Sequence, residues 1–133
     1  GVRIDLVVRG VCALRPGVPG VSENIRVRSV LGQFLEHSRV FYFYNGGAED
    51  VYLSSADWMD RNFFGRIEVC FPVLEPRLRQ RVIREGLKPF LERNIAAWDM
   101  TADGQYKHRK GARRKGANPQ SLLRDTLAGK PPG

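Results

Sequence analysis

Cysteine, histidine, methionine and tryptophan each occur only twice in the 133 residues. Cys12 and Cys70 have no Cys or His neighbour at metal-ligand spacing, which argues against a zinc site. Both sit in apolar stretches and read as buried free thiols from a reducing compartment. Long apolar runs are missing too: stretches such as Val40 to Tyr44 fall far short of the ~20 residues that span a bilayer. No apolar h-region with a small-residue cleavage site opens the chain, so no signal peptide is read, and the chain looks cut from something longer. These features lead to the expectation of a cytoplasmic protein. There are no internal repeats. What is present is a 42% hydrophobic composition with 7 Phe and 4 Tyr, which excludes disorder throughout and a fibrous chain, and a length that suits one domain.

Acidic residues are scarce at one end. The formal net charge is +8, and residues 105–133 carry eight basic groups against Asp125 alone. The first 104 residues are therefore close to neutral. Two segments follow: a domain over 1–104 and a basic, flexible tail over 105–133, with little fixed structure expected beyond Lys107. A polybasic run binds nucleic acid, polyphosphate or an anionic membrane, yet this one lacks interleaved aromatics, so a solvated terminus is the preferred reading.

β-branched residues from Val2 to Val8 predict a buried strand that empties into a loop at Arg9-Gly10, with Pro-Gly breaks following over 14–20. Strands are predicted at Ile25–Val30, Arg39–Tyr44, Asp50–Ser54, Arg66–Phe71 and Trp98–Met100, with a short helix at Gly32–Glu36. Asn45-Gly46-Gly47 is a strong turn signal. After Glu75 the period changes. Leu78, Val82, Leu87, Phe90 and Leu91 share a helical face, Pro76 suits the first helical position, and Gly86 and Pro89 weaken the second half. The fold class expected is α/β with a mixed sheet flanked by helices.

His108, flanked by Lys107 and Arg109, reads as solvated. His37 precedes an apolar strand by two residues from Arg39, and in extended chain residues i and i+2 point to one face. Imidazole and guanidinium then converge, a pairing that suits phosphoryl chemistry, although a histidine at a strand start is more often structural. Arg9 stands where a strand meets a glycine loop, the place where open α/β sheets gather ligands, and offers a planar fork to phosphate. Arg26 and Arg28 share a face and read equally well as the solvated side of a strand. Ser54, Ser55 and Asp57 form a hydroxyl and carboxylate cluster able to orient an imidazole or bind phosphate. The same sequence is also an ordinary turn, and Arg61 and Glu68 pair in the structural reading.

Val8-Arg9-Gly10, the run from Arg15 to Ser29, G-Q-F-L-E-H-S-R-V-F-Y-F at Gly32 to Phe43, and V-Y-L-S-S-A-D-W-M-D-R-N at Val51 to Asn62 occur in that order. Together they resemble the C-terminal catalytic domain of the type 1 polyphosphate kinase family, over residues 1 to about 104. The resemblance implies a phospholipase D-like fold, with His37-x-Arg39 in place of a histidine-x-lysine signature. It also implies reversible transfer of the ATP terminal phosphate to inorganic polyphosphate through a phosphohistidine, with Mg²⁺. Arg9 and His37 map onto nucleotide-phosphate ligands, His37 also being the catalytic acid or base, with Arg39, Ser55 and Asp57 in support. The phosphorylated histidine and the magnesium ligands are expected outside this chain, which makes the chain a partial catalytic unit, inactive alone. Implied partners are polyphosphate, ADP or ATP and the remaining kinase domains, as a homo-oligomer at full length. Nucleic acid is not expected, and peripheral membrane association follows by family analogy only. Two other readings stand beside this one: a phospholipase D-like phosphodiesterase or nuclease, and a basic polyanion-binding module.

Overall fold

A computed structural model of the chain describes residues 1–109 and 118–129. The chain divides into two compact units, one joining Gly1–Glu36 to Pro89–Gly133 and the other spanning His37–Lys88.

In the first unit four strands, β1 (Ile4–Val8), β2 (Ile25–Ser29), β6 (Ala97–Met100) and β7 (Tyr106–Arg109), form one sheet in the order β1-β2-β6-β7. β1 and β2 run parallel from Ile4↔Ile25 to Val8↔Ser29, while the β2–β6 and β6–β7 pairs are antiparallel. The mixed sheet matches the expected class. The long β1–β2 connection turns at Gly17 and Gly20, each with φ near 71°, a conformation glycine reaches without a Cβ clash. Buried Ser22 ties the loop by donating to the Arg15 carbonyl at 2.6 Å and accepting the Val18 N–H at 3.1 Å. Val30, Phe90, Ile95 and Ala97 make a core, against which Leu123 packs.

Arg28 is a structural clamp rather than a solvated strand residue. Its Nε donates to Asp99 on β6 at 3.2 Å, and its Nη1 donates to the carbonyls of Phe90 and Glu92 at 3.2 and 2.8 Å. A cation thus satisfies carbonyls left over where a helix ends. Arg26 pairs with Asp5 at 2.9 Å on the exposed side.

Structure extends further along the chain than the tail reading allows. β7 and a helix, α4 (Pro119–Leu127), lie where little fixed structure was expected. The Asn118 side chain caps α4 by accepting the Gln120 N–H at 2.8 Å, with Pro119 at the first helical position. The basic run from Lys110 to Lys115, and Lys130, lie outside the described residues. The helix predicted over Gly32–Glu36 is also corrected. This segment is not helical, because the Gln120 amide takes the Phe34 N–H at 3.0 Å and donates to the Phe34 carbonyl at 2.7 Å. A backbone whose donor and acceptor are satisfied from outside gains nothing from a helical turn.

The second unit carries an antiparallel sheet in the order β3 (Val40–Phe43), β4 (Asp50–Ser54), β5 (Cys70–Pro72). A 3₁₀ turn at Asn45–Gly47 joins β3 to β4, as its composition predicts. A short helix, α1 (Asp60–Phe63), follows β4. β5 is shorter than the predicted Arg66–Phe71 strand. Ser55 replaces a ladder partner there, its Oγ accepting the Val69 N–H at 3.0 Å. Cys70 on this strand is exposed and Cys12 partly so, which overturns the buried-thiol expectation.

Glu75 caps the next helix by accepting from the N–H groups of Arg77 and Leu78. The helical run proceeds as α2 (Pro76–Val82), a π-turn (Ile83–Leu87) and α3 (Lys88–Leu91). Pro89 has no N–H for the Glu85 carbonyl, and the ladder widens so that the Lys88 N–H reaches the Ile83 carbonyl. The extra residue shifts the helical phase. Ile83 and Phe90 are buried, whereas Leu78 and Leu91, expected on the apolar face, are exposed.

Ile95 has no exposed surface. Ile95→Ala is expected to remove about 2–5 kcal/mol of stability, and Leu123→Ala at the edge of the cluster less, both read from the urea midpoint at constant m-value.

Candidate functional site

His37 and Arg39 do converge. Arg39 Nη1 lies 2.9 Å from His37 Nδ1 and 3.4 Å from Nε2, and donates to the His37 carbonyl at 2.7 Å. A donor in line with the Nδ1 lone pair would stand far from Nε2; comparable distances to both nitrogens place the guanidinium across the face of the ring. On its other side Arg39 forks onto Asp57 Oδ1, Nε at 3.0 Å and Nη2 at 2.8 Å. Both side chains of this pair are largely buried, at 15% and 17% exposure. Arg61, one helical turn on, reaches Asp57 Oδ2 at 3.5 Å. Asp57 is thus brought to Arg39 and not directly to the imidazole. The extended start of β3 and the loop after β4 are neighbours because the two strands pair Val40↔Leu53.

Ser55 serves a different acid. Its hydroxyl donates to Glu68 Oε2 in a very short contact, and Asn62 Nδ2 donates to Glu68 Oε1 at 2.7 Å. The Ser55 hydrogen bond first, then Asn62, hold the Glu68 carboxyl below the usual glutamate value. The predicted Arg61–Glu68 pairing is replaced by Arg61–Asp57 and Asn62–Glu68. Beside this network lies an open cavity of about 620 Å³, walled by Phe41, Phe43, Tyr52, Trp58 and Phe63 and reached by Asn62 and Glu68. Phe41 and Trp58 stack at 5.7 Å between ring centroids.

Arg9 follows the last residue of β1, exposed, in the first unit; His37 opens the second. The Arg9 loop has an anchor that sequence reasoning missed. The Tyr106 hydroxyl on β7 donates to the Gly10 carbonyl at 2.5 Å, and burial, with Cys12 nearby, raises the Tyr106 phenol above its usual value. Tyr106 falls within the stretch read as tail, where a lone tyrosine gives no local signal of its distant partner. His108 is exposed but ordered on β7, where it meets Trp98 at 4.8 Å between ring centroids. Arg109 pairs with Asp99. Among the described residues no group of three His, Cys, Asp or Glu side chains is placed to hold a metal ion.

The mixed sheet, the antiparallel sheet and their helices make this an α/β protein, consistent with the phospholipase D-like class that the resemblance implies. Comparison with known proteins narrows the class. A profile described as polyphosphate kinase C-terminal domain 2 matches residues 1–120. A polyphosphate kinase of Paraburkholderia phytofirmans is 61% identical over 123 residues, covering 92% of this chain and 18% of the relative. One from Burkholderia cenocepacia is 64% identical over 110 residues, covering 83% and 16%. The crystal structure of polyphosphate kinase from Porphyromonas gingivalis superposes with a TM-score of 0.85 at 42% identity, covering 96% of this chain and 19% of that one. The chain belongs to the polyphosphate kinase family. It spans less than a fifth of the length of these relatives.

The lowered Glu68 carboxyl has a definite sign. A depressed folded value stabilises the fold above the unfolded glutamate value, and that contribution is lost as pH falls through the folded one. Ser55→Ala is expected to raise the Glu68 midpoint toward the ordinary value, measured by carbonyl-carbon NMR titration; an unmoved midpoint would show that Ser55 does not hold the charge.

Proposed function

We propose that this chain is the phosphate-handling C-terminal part of a polyphosphate kinase, which moves the terminal phosphate of ATP reversibly onto inorganic polyphosphate. The observation that carries the reading is the fixed imidazole of His37 at the head of β3, in a chain matched to this family over residues 1–120. Phosphoryl transfer asks mainly for positioning and charge neutralisation. Arg9 offers phosphate oxygens a planar fork. His37 acts as a phosphate ligand and exchanges a proton with the oxygen that gains or loses phosphorus. The nucleophile is a histidine supplied from outside this chain: its nitrogen bonds to phosphorus as the bond to the ADP oxygen breaks, and a polyphosphate oxygen then displaces it.

Mg²⁺ would offset the charge of the nucleotide phosphates when bound, and its ligands belong to the rest of the kinase. The same reading makes the remaining kinase domains the first partners. The second unit leaves Phe43, Trp58, Phe63, Phe64 and Ile67 exposed, more apolar surface than a separate soluble domain usually carries. Free cysteines support a reducing, cytoplasmic setting. Among the described residues no helix is long and apolar enough to cross a membrane.

In the full-length kinase, His37→Ala is expected to cut kcat by about 10²–10⁴, and Arg9→Ala to raise KM for ATP. The chain alone, given ATP, Mg²⁺ and polyphosphate, is expected to neither elongate polyphosphate nor retain labelled phosphate; elongation by the chain alone would overturn the missing-nucleophile reading. Metal-independent cleavage of a chromogenic phosphodiester, lost in His37→Ala, would instead mark a phosphodiesterase.

A further inference from the structure

We infer that Asp57 and Arg39 act as one positioning unit for His37, and that Arg39 is not a phosphate ligand. The inference rests on the proposed role of His37 and concerns how that role is held in place.

A guanidinium only donates, and it presents its N–H groups in a rigid planar fork. In Arg39 all three nitrogens are committed within the chain. Nε and Nη2 converge on Asp57 Oδ1 at 3.0 and 2.8 Å, and Nη1 serves the His37 carbonyl at 2.7 Å while lying against the ring. Three of the five N–H groups of Arg39 are spent in these bonds and Nη1 also lies against the ring, so an incoming phosphate could take the Nε–Nη2 fork only by displacing Asp57. The charge of Arg39 is also matched at contact distance by a carboxylate that is itself largely buried, which weakens its pull on a second anion.

What the arrangement does supply is orientation. Asp57 fixes the plane of the guanidinium, the guanidinium fixes the backbone carbonyl of His37 and covers one face of its ring, and the in-plane edges of both ring nitrogens are left clear of Arg39. An imidazole that exchanges a proton needs such an edge turned to the reacting oxygen, and small errors in that angle are costly. Arg61 on Asp57 Oδ2 adds a second cation to the same carboxylate from α1. Lysine at position 39 would carry the charge but could not form the fork.

The test is steady-state kinetics on the full-length kinase. Arg39→Ala and Asp57→Ala are each expected to lower kcat about tenfold to a hundredfold while KM for ATP and polyphosphate stays within about twofold. The double variant leaves neither charge uncompensated in the interior, and its kcat is expected to equal that of either single variant. Millimolar guanidinium should restore turnover to Arg39→Ala, but not to the double variant, because the free cation needs Asp57 to seat it. A raised KM for polyphosphate with unchanged kcat in Arg39→Ala would make Arg39 a phosphate ligand and overturn the inference. So would additive losses, or equal guanidinium rescue with and without Asp57. His37→Ala separates the levels. If it is inactive while both single variants turn over normally, the role of His37 stands and the coupling falls; if it turns over normally, the proposed site falls with it.

Discussion

The second unit is organised around one guanidinium. Arg39 sits at the entry to β3, and Asp57 lies just beyond the end of β4, so the pair sits at the end of the β3–β4 ladder, where the Ser54 N–H donates a last backbone bond to the Arg39 carbonyl at 3.0 Å. Largely buried charges tolerate such a position only when they are paired and hydrogen-bonded, and here each partner supplies part of this for the other, with the His37 carbonyl and Arg61 supplying more. The constraint propagates in both directions. Toward the chain start it holds the backbone of His37; toward α1 it fixes the loop from which Arg61 reaches back and Asn62 turns to Glu68. Replacing a lysine-like point charge with a fork is what lets a single residue hold three groups at once.

Much of this was legible in the local sequence. The His37-x-Arg39 convergence follows from the two-residue period of extended chain, the Asn45-Gly46-Gly47 turn from its composition, and the irregular helix from Gly86 and Pro89. What escaped depended on partners far away in the chain. Gln120 keeps residues 32–36 out of a helix, Tyr106 pins Gly10, and Ser55 takes the Val69 N–H that would have lengthened β5. No local period encodes these contacts. The exposure of Cys70 is hidden from the sequence for a related reason: an apolar neighbourhood in sequence says nothing about whether its strand, like β5, is a sheet edge with both faces open. In the candidate site, the cluster of Ser55, Asp57, Arg61 and Glu68 was visible as a cluster, but its pairing was not, since four polar groups on one loop admit several pairings that only backbone geometry separates.

Basic content proves a poor measure of anion-binding capacity. Among the described residues four carboxylates are each bracketed by two arginines: Asp5 by Arg3 and Arg26, Asp99 by Arg28 and Arg109, Asp57 by Arg39 and Arg61, and Glu85 by Arg81 and Arg84. The exposed pairs among them add little stability. They do organise the surplus of positive charge into small clusters with their own internal acid, so that an arginine within one is already spoken for geometrically. Recognition of a polyanion by such a surface is a matter of which cations are placed and where they point, and the headline figure of +8 is silent on both.

The discontinuous make-up of the first unit bears on the order in which the chain can fold. Its defining long-range ties join residues 96, 87 and 86 positions apart: Tyr106 to Gly10, Asn118 to Leu31, and Gln120 to Phe34. Residues 37–88 form a contiguous unit of hairpin and helix that needs none of these contacts. During synthesis that insert can close while β1 and β2 still await β6, β7 and α4, and loop-closure entropy makes the late ties the slow ones. The Arg9 loop therefore gains its anchor only once the chain has been made as far as Tyr106, and until then β2 lacks its antiparallel partner β6.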